Sequence, residues 1–85
     1  MNYSVNVKKS AEKELAGLES KIRSQIAARL RELVENPFPQ TGFKKLKGGL
    51  GYRLTSGDYR ILYKVDTDQK VVEIVAIGNR KDVYR

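Results

Sequence analysis

Hydrophobic and polar residues alternate at the start of the chain and then change to a helical spacing. Residues 3–7 (YSVNV) carry apolar side chains at every second position, which is the pattern of a half-buried strand. Ser10 is a favourable N-cap residue, and the apolar residues that follow it recur at helical spacing as far as Leu18. The pattern therefore predicts a strand followed by a helix over residues 10–18.

A longer amphipathic segment follows and predicts a second helix. Four apolar residues recur at steps of four, four and three and so lie on one helix face: Ile22, Ile26, Leu30 and Leu33. Asn36-Pro37 ends this helix, because the residue before a proline avoids the α region. The two helices are expected to form a hairpin that lies on a sheet.

The second half of the chain predicts a loop and then a run of strands. Residues 37–49 hold both prolines, three glycines and a cluster of lysines, which is typical of a loop. Three strands are predicted in succession: residues 50–55, 58–65 and 70–77. Ser56-Gly57 is the predicted turn between the first two. The last strand is apolar on both faces, which predicts a position inside the sheet.

The predicted element order, β-α-α-β-β-β, is that of a small α+β domain. An antiparallel twisted sheet carries the helical hairpin on one face in this arrangement. The 85 residues are expected to form one such domain, residues 1–85. A chain of this length buries roughly 60% of its unfolded surface, so it has room for a single modest core.

Composition excludes several kinds of chemistry. The chain has no cysteine and no histidine, which excludes disulfides, thiolate nucleophiles and every Ser-His or Cys-His mechanism. We expect no metal and no cofactor, since zinc sites depend on those residues. The longest mostly apolar run, residues 74–79, is far too short to span a membrane, and the N-terminus lacks a signal peptide's apolar stretch. A cytoplasmic protein without a membrane partner is expected.

Positive charge is concentrated in the second half of the chain. Seventeen lysines and arginines against ten aspartates and glutamates give a net charge of +7. Residues 1–42 carry a net +2 and residues 43–85 a net +5. Such a field attracts polyanions, nucleic acid most often, although an acidic protein partner or a merely solubilising surface would also fit.

The predicted turn between the two hairpin strands sets a register for their arginines. With a two-residue loop at the predicted place, Arg53 would lie directly opposite Arg60, on the side of the sheet away from the helices. Like charges directly opposite each other are unfavourable, so this pair predicts an anion between them; the alternative is that two long side chains splay into solvent. Arg80 and Tyr84 follow the last strand and are expected near the same face, where a guanidinium holds phosphate and a tyrosine stacks on a base.

Several segments of the sequence resemble the RelE/ParE superfamily of toxins, and the RelE branch in particular. These are residues 45–48 (KLKG), 51–54 (GYRL), 57–63 (GDYRILY) and 77–80 (IGNR), with Tyr84 beyond them. The resemblance covers essentially the whole chain. It implies an mRNA endoribonuclease that cuts the codon in the ribosomal A site, inhibits translation, and is held inactive by a RelB-like antitoxin.

Two other functions remain open. ParE-like relatives share the fold and poison DNA gyrase without cutting nucleic acid. A plain RNA-binding module, whose arginine face grips the backbone without cutting it, is the third reading. The resemblance favours the endoribonuclease because of the Gly78-Asn79-Arg80 segment followed by Tyr84, together with the basic cluster.

The resemblance also implies roles for individual residues. Arg60 and Arg80 take the places of two arginines that stabilise the scissile phosphate. Tyr84 takes the place of a C-terminal tyrosine that orients the substrate or stacks on it. Arg53 stands where RelE members have a catalytic lysine, and Gly51 stands where they have a second one.

A site without histidine has to cut RNA mainly by alignment and charge. RNA cleaves itself through its 2′-hydroxyl once that oxygen is in line with the phosphate, and cationic donors stabilise the charge that develops. Arginine is a poor base, so the base is left open between Lys44, Lys47, Tyr84 and a ribosomal group. Lys44, Lys45 and Lys47 are expected to bind RNA or the ribosome, and Glu73 is expected to be a charge partner on a neighbouring strand.

Overall fold

A computed structural model of the chain describes residues 2–49 and 51–79, which form two helices and a five-stranded sheet. In chain order the elements are β1 (Ser4–Val7), α1 (Lys9–Ala16), α2 (Ser20–Glu35), β2 (Phe43–Lys45), β3 (Tyr52–Ser56), β4 (Tyr59–Asp66) and β5 (Val71–Asn79). A single 3₁₀ turn over Lys47–Gly49 connects β2 to β3. The predicted α+β class is therefore confirmed, although residue 50, where a strand was predicted to begin, lies outside the described residues.

The sheet is mixed rather than wholly antiparallel. Its strands lie in the order β1-β5-β4-β3-β2, and β5 has a neighbour on both sides, as its apolar sequence predicted. The strands from β2 to β5 pair antiparallel, but β1 pairs parallel to β5, so the prediction of an antiparallel sheet is wrong at this strand. No turn links β1 to its neighbour β5. The period-two pattern of β1 therefore indicates which side chains lie on each face, but not whether the strand runs parallel or antiparallel to β5.

The first helix begins where the chain leaves the sheet. The backbone N–H of Lys8 donates to the carbonyl of Ile74 over 3.0 Å, and the helix starts at the next residue. Lys8 is the N-cap and makes no side-chain capping hydrogen bond, so the prediction of Ser10 as the cap is wrong. The end of the strand ladder, rather than a local capping residue, sets this helix start. Neither helix in the described ranges is both long and apolar enough to cross a membrane.

The strand β2 lies inside the segment that was predicted to be a loop. It has three residues and pairs with β3 at the edge of the sheet, with Lys44 opposite Arg53. The N–H of Leu46 donates to the carbonyl of Gly51 over 2.9 Å and closes the loop beyond it. A strand this short gives no recognisable alternation, which is why the sequence pattern missed it.

The core lies between the helices and one face of the sheet. Nine residues are almost completely buried: Ala11, Ile26, Leu33, Leu54, Ile61, Tyr63, Val72, Ile74 and Ile77. A register shift between Leu62 and Tyr63 forms a bulge in the pairing of β4 with β5. Because of it, Ile74 and Ile77 both face the core although they are three positions apart.

A small aromatic cluster extends this core toward the β2 edge. Phe38, Phe43, Tyr52 and Tyr63 lie in a chain of ring contacts with centroids 5.3–6.0 Å apart. The Tyr63 hydroxyl donates to the carbonyl of Pro37 over 2.7 Å. Burial, and to a smaller extent the neighbouring Tyr52, raise the pKa of Tyr63 above its ordinary value. The hydroxyl therefore stays protonated and holds the segment after α2 against the sheet.

Candidate nucleic-acid interface

The side of the sheet away from the helices, here called the far face, carries the predicted arginines. Ile61 and Tyr63 of β4 point into the core, so the alternating residues Arg60, Leu62 and Lys64 point to the far face. Arg53 lies opposite Leu62 and therefore shares this face. The period-two pattern of the sequence was sufficient to place both arginines on one side.

The predicted register of the hairpin is wrong by one residue in each strand. Gly57 and Asp58 form the turn, Ser56 pairs with Tyr59, and Arg60 lies opposite Thr55 rather than Arg53. Gly57 has a φ of 59°, which glycine adopts without strain at the first position of a two-residue hairpin turn. The turn therefore forms one residue later than predicted. Arg53 and Arg60 become diagonal neighbours on the same face, where Cα atoms are about 7–8 Å apart.

The like-charge pair that the sequence predicted occurs between different residues. Lys44 of β2 lies directly opposite Arg53 of β3. Cations directly opposite each other on a sheet repel, so an anion above them would stabilise the arrangement. With Arg60 on the diagonal, these residues form a cluster at one end of the far face, called the cationic corner from here on: Lys44, Arg53 and Arg60.

Arg60 has small cross-strand neighbours and a donor that has no partner among the described residues. Its neighbours across the two adjacent strands are Thr55 and Gly78, both small. One guanidinium nitrogen, Nη1, makes a long hydrogen bond of 3.3 Å to the carbonyl of Tyr59. Its Nε is buried and has no hydrogen-bond partner among the described residues. A buried donor without an acceptor costs about 1–3 kcal/mol, and a phosphate oxygen would relieve this cost only after the side chain moves to expose Nε. Sequence reasoning missed Thr55 and Gly78 because only the true register shows them beside Arg60.

The opposite end of the far face is different, because its charges are matched. Lys64 of β4 lies opposite Glu73 of β5 in the strand register, and the role of Glu73 as a charge partner stays a prediction. Asn6 of β1 is the other neighbour of Glu73, and Asp66 lies at the end of β4. These four residues are called the balanced end from here on.

The three loop lysines go to different places. Lys44 joins the cationic corner, whereas Lys45 lies opposite Tyr52 and so faces the helix side of the sheet. Lys47 begins the 3₁₀ turn and is exposed. The structure therefore brings together only one of these lysines with Arg53 and Arg60. Arg80 and Tyr84 lie outside the described residues, so their places in the site stay predictions.

Gly51 explains why a lysine is absent from that position. It has a φ of 104°, in the region that favours glycine, and a Cβ there would collide with the carbonyl oxygen of Tyr63. A lysine at residue 51 would require the start of β3 to move away from β4. Within the described ranges, no three acidic side chains are placed so that they could hold a metal ion.

Comparisons with known proteins place the chain in a family. Residues 5–84 match the family described as the ParE toxin of the type II toxin–antitoxin system parDE. The mRNA interferase toxin RelE of Escherichia coli is 32% identical over 89 aligned positions, which cover 99% of this chain and 92% of that protein.

Solved structures of RelE proteins have the same fold. The archaeal RelE–RelB complex from Pyrococcus horikoshii matches with a TM-score of 0.85 and 28% identity, covering 98% of this chain and 100% of that one. The isolated RelE toxin of Escherichia coli matches with a TM-score of 0.78 and 31% identity, covering 96% of this chain and 90% of that one. This chain therefore belongs to the RelE/ParE superfamily of toxins of type II toxin–antitoxin systems.

Proposed function

We propose that this chain is a ribosome-dependent endoribonuclease that cleaves mRNA in the A site and so arrests translation. The observation that carries the proposal is the placement of Arg60 between two small cross-strand neighbours, Thr55 and Gly78, in one corner with Lys44 and Arg53. This arrangement suits a phosphate ester of a nucleic-acid backbone. The name of the Escherichia coli relative, an mRNA interferase, supports RNA as the substrate.

The chemistry follows from charge and alignment. The ribosome and the toxin together hold the 2′-hydroxyl in line with the scissile phosphate, and such alignment contributes as much as ~7–11 kcal/mol. Arg60 donates to the phosphate as negative charge develops on it, and one preorganised donor of this kind is typically worth ~3–4 kcal/mol. Arg53 adds a second guanidinium. The products are a 2′,3′-cyclic phosphate and a 5′-hydroxyl, with the 2′-proton passing to a base and a proton returning to the leaving oxygen.

The remaining residues complete this proposal. Arg80 follows β5 directly in the chain and Tyr84 lies four residues further on, and we assign them the second phosphate contact and the stacking of the base. Lys44 and Lys47 hold the RNA backbone, and one of them, Tyr84 or a ribosomal group is the base. Lys45, on the other side of the sheet, contacts the ribosome.

A RelB-like antitoxin is the proposed partner in the cell. The related archaeal RelE was solved as a complex with RelB. An antitoxin segment with acidic and apolar residues would fit the cationic corner, because its carboxylates would neutralise Lys44, Arg53 and Arg60. A purified complex that leaves all three residues accessible and still inhibits translation would contradict this assignment.

The test is toeprinting with purified protein on ribosomes programmed with a defined mRNA. The proposal expects cuts within the A-site codon, few cuts on the same mRNA without ribosomes, and protein synthesis that falls before DNA synthesis in producing cells. The matching family is described by ParE, and this observation favours gyrase inhibition as the second candidate. Intact mRNA together with trapped gyrase–DNA complexes would establish that second function. Binding to RNA without cleavage would leave a binding module.

A further inference from the structure

A guanidinium from the helix layer crosses to the edge of the sheet. Arg29 of α2 donates from Nε to the carbonyl of Thr55 over 3.2 Å and from Nη2 to the carbonyl of Thr41 over 2.6 Å. Its Nη1 donates to both carboxylate oxygens of Glu32, over 2.8 and 2.9 Å. The Arg29 side chain is 17% exposed, and its hydrogen bond to Thr55 is partly buried, whereas those to Thr41 and Glu32 are open to water.

The Thr55 carbonyl belongs to β3, and the Thr41 carbonyl lies two residues before β2; these two strands carry Arg53 and Lys44. Thr41 directly precedes the segment that enters β2, and Thr55 lies near the end of β3. At the same place the N–H of Thr55 donates to the carbonyl of Gly42 over 2.9 Å. Gly42 has a φ of 73°, and a Cβ there would lie 3.1 Å from Nη2 of Arg29. The backbone at Gly42 therefore leaves the space that the guanidinium occupies.

The strand β2 needs such a fixing point. It is three residues long, lies at the sheet edge and pairs only with β3. A slip of one residue would turn Lys44 to the other face of the sheet, because side chains alternate along a strand. From this geometry we propose that Arg29 is a positioning residue, which fixes the pairing of β2 with β3 that sets Lys44 opposite Arg53.

Arginine is required here by its shape. A planar guanidinium reaches Thr41, Thr55 and Glu32 at once, whereas the single ammonium of a lysine spans fewer of these acceptors. Arg29→Lys therefore keeps the charge and removes the clamp. Arg31, an exposed residue of the same helix, supplies the matched control Arg31→Lys.

The first measurement is amide hydrogen exchange, which does not depend on the proposed function. Arg29→Lys should accelerate exchange in residues 42–46 by ~10-fold or more, while β4 and β5 keep their protection, because only the edge pairing is released. Glu32→Gln should do the same to a smaller extent. Unchanged exchange in residues 42–46, or equal acceleration in all strands, would overturn the proposal.

The second measurement rests on the proposed endoribonuclease activity. In single-turnover cleavage on programmed ribosomes, Arg29→Lys should lower the maximal rate ~10–100-fold, since a misplacement of about 1 Å costs that much. The concentration that gives half the maximal rate should stay near that of the wild type, because net charge is kept. A normal maximal rate would exclude the positioning role even if exchange were faster. If the wild-type protein itself fails to cut, the proposed function falls and the exchange result alone decides the role of Arg29.

Discussion

The two ends of the far face are built from the same strands but differ in how their charges are matched. At the balanced end, Lys64 has Glu73 directly across the strand pair. In the cationic corner, Arg60 has Thr55 and Gly78 as its neighbours, and Lys44 lies against Arg53. An oppositely charged pair contributes modestly to sheet stability, whereas like charges placed opposite each other make an external anion favourable. The difference indicates which cations serve the fold and which are available to a ligand.

The largest difference in cleavage rate is expected between two single variants, one that removes a cation from the cationic corner and one that removes a cation from the balanced end. Arg60→Ala should lower the single-turnover cleavage rate ~10²–10³-fold, because it removes a preorganised donor to the transition state. Arg60→Lys should recover only part of the rate, since a lysine restores the charge but not the two parallel N–H donors of a guanidinium. Lys64→Ala removes the same charge from the balanced end and should change the rate little. Equal, small losses at both positions would mean that the far face attracts RNA by its charge and that Arg60 makes no specific contribution to cleavage.

A second prediction converts the corner into a balanced end. Thr55→Glu places a carboxylate directly opposite Arg60, and we expect ~10-fold slower cleavage because the guanidinium gains an internal partner. The free energy of unfolding should rise by about 0.2–1 kcal/mol, as for a cross-strand ion pair. Chemical denaturation and the cleavage assay measure the two effects. The control Thr67→Glu makes the same charge change in the turn after β4 and should change neither the cleavage rate nor the free energy of unfolding. An equal loss of activity in both variants would contradict the prediction.

A third prediction concerns the salt dependence of RNA binding. Lys44→Gln should reduce the slope of log affinity against log salt by ~0.7 for a single-stranded oligonucleotide, because one phosphate contact is lost. Lys64→Gln should leave the slope close to that of the wild type, since Glu73 lies directly opposite Lys64 and repels a phosphate there. Fluorescence anisotropy titrations at several salt concentrations provide both slopes. A larger change for Lys64→Gln would reverse the assignment of the two ends.

The smallest effect is expected on the helix side of the sheet, and it should concern stability alone. Tyr63→Phe removes the hydrogen bond to Pro37 and should cost ~1 kcal/mol of unfolding free energy while cleavage is retained.

The pKa of Tyr63 is raised in the folded state, so the folded protein holds this proton more tightly than the unfolded chain does. Its contribution to stability is therefore complete below the ordinary tyrosine pKa of about 10 and is lost as pH rises above that value. Denaturation curves of the wild type and Tyr63→Phe between neutral and alkaline pH should converge. A constant difference between the curves would contradict this titration.

The sequence pattern predicted the fold class, the helix–sheet layering and the face on which each β4 residue lies. These features follow from the spacing of apolar residues, which repeats every 3.6 residues in a helix and every two residues in a strand. It failed where one residue decides the outcome. The turn at Gly57-Asp58 rather than Ser56-Gly57 changed the partners of both arginines, and the direction of β1 left no trace in its alternation.

Contacts between distant segments were also beyond the sequence. Arg29 lies next to Leu30 on an amphipathic helix and has the pattern of an ordinary surface residue. Its acceptors, Thr41 and Thr55, are distant in the chain and are brought to it only by folding. The like-charge argument was sound, but the true pair included Lys44, which lay in the segment predicted to be a loop.

The conformation of Gly51 limits how the start of β3 can change by substitution. The Tyr63 carbonyl lies where a side chain at residue 51 would begin, so any direct replacement there forces the backbone to move. A lysine at this position therefore requires a further change that repositions the start of β3. We expect two sequences that differ at residue 51 to differ in the path of the backbone as well as in the side chain.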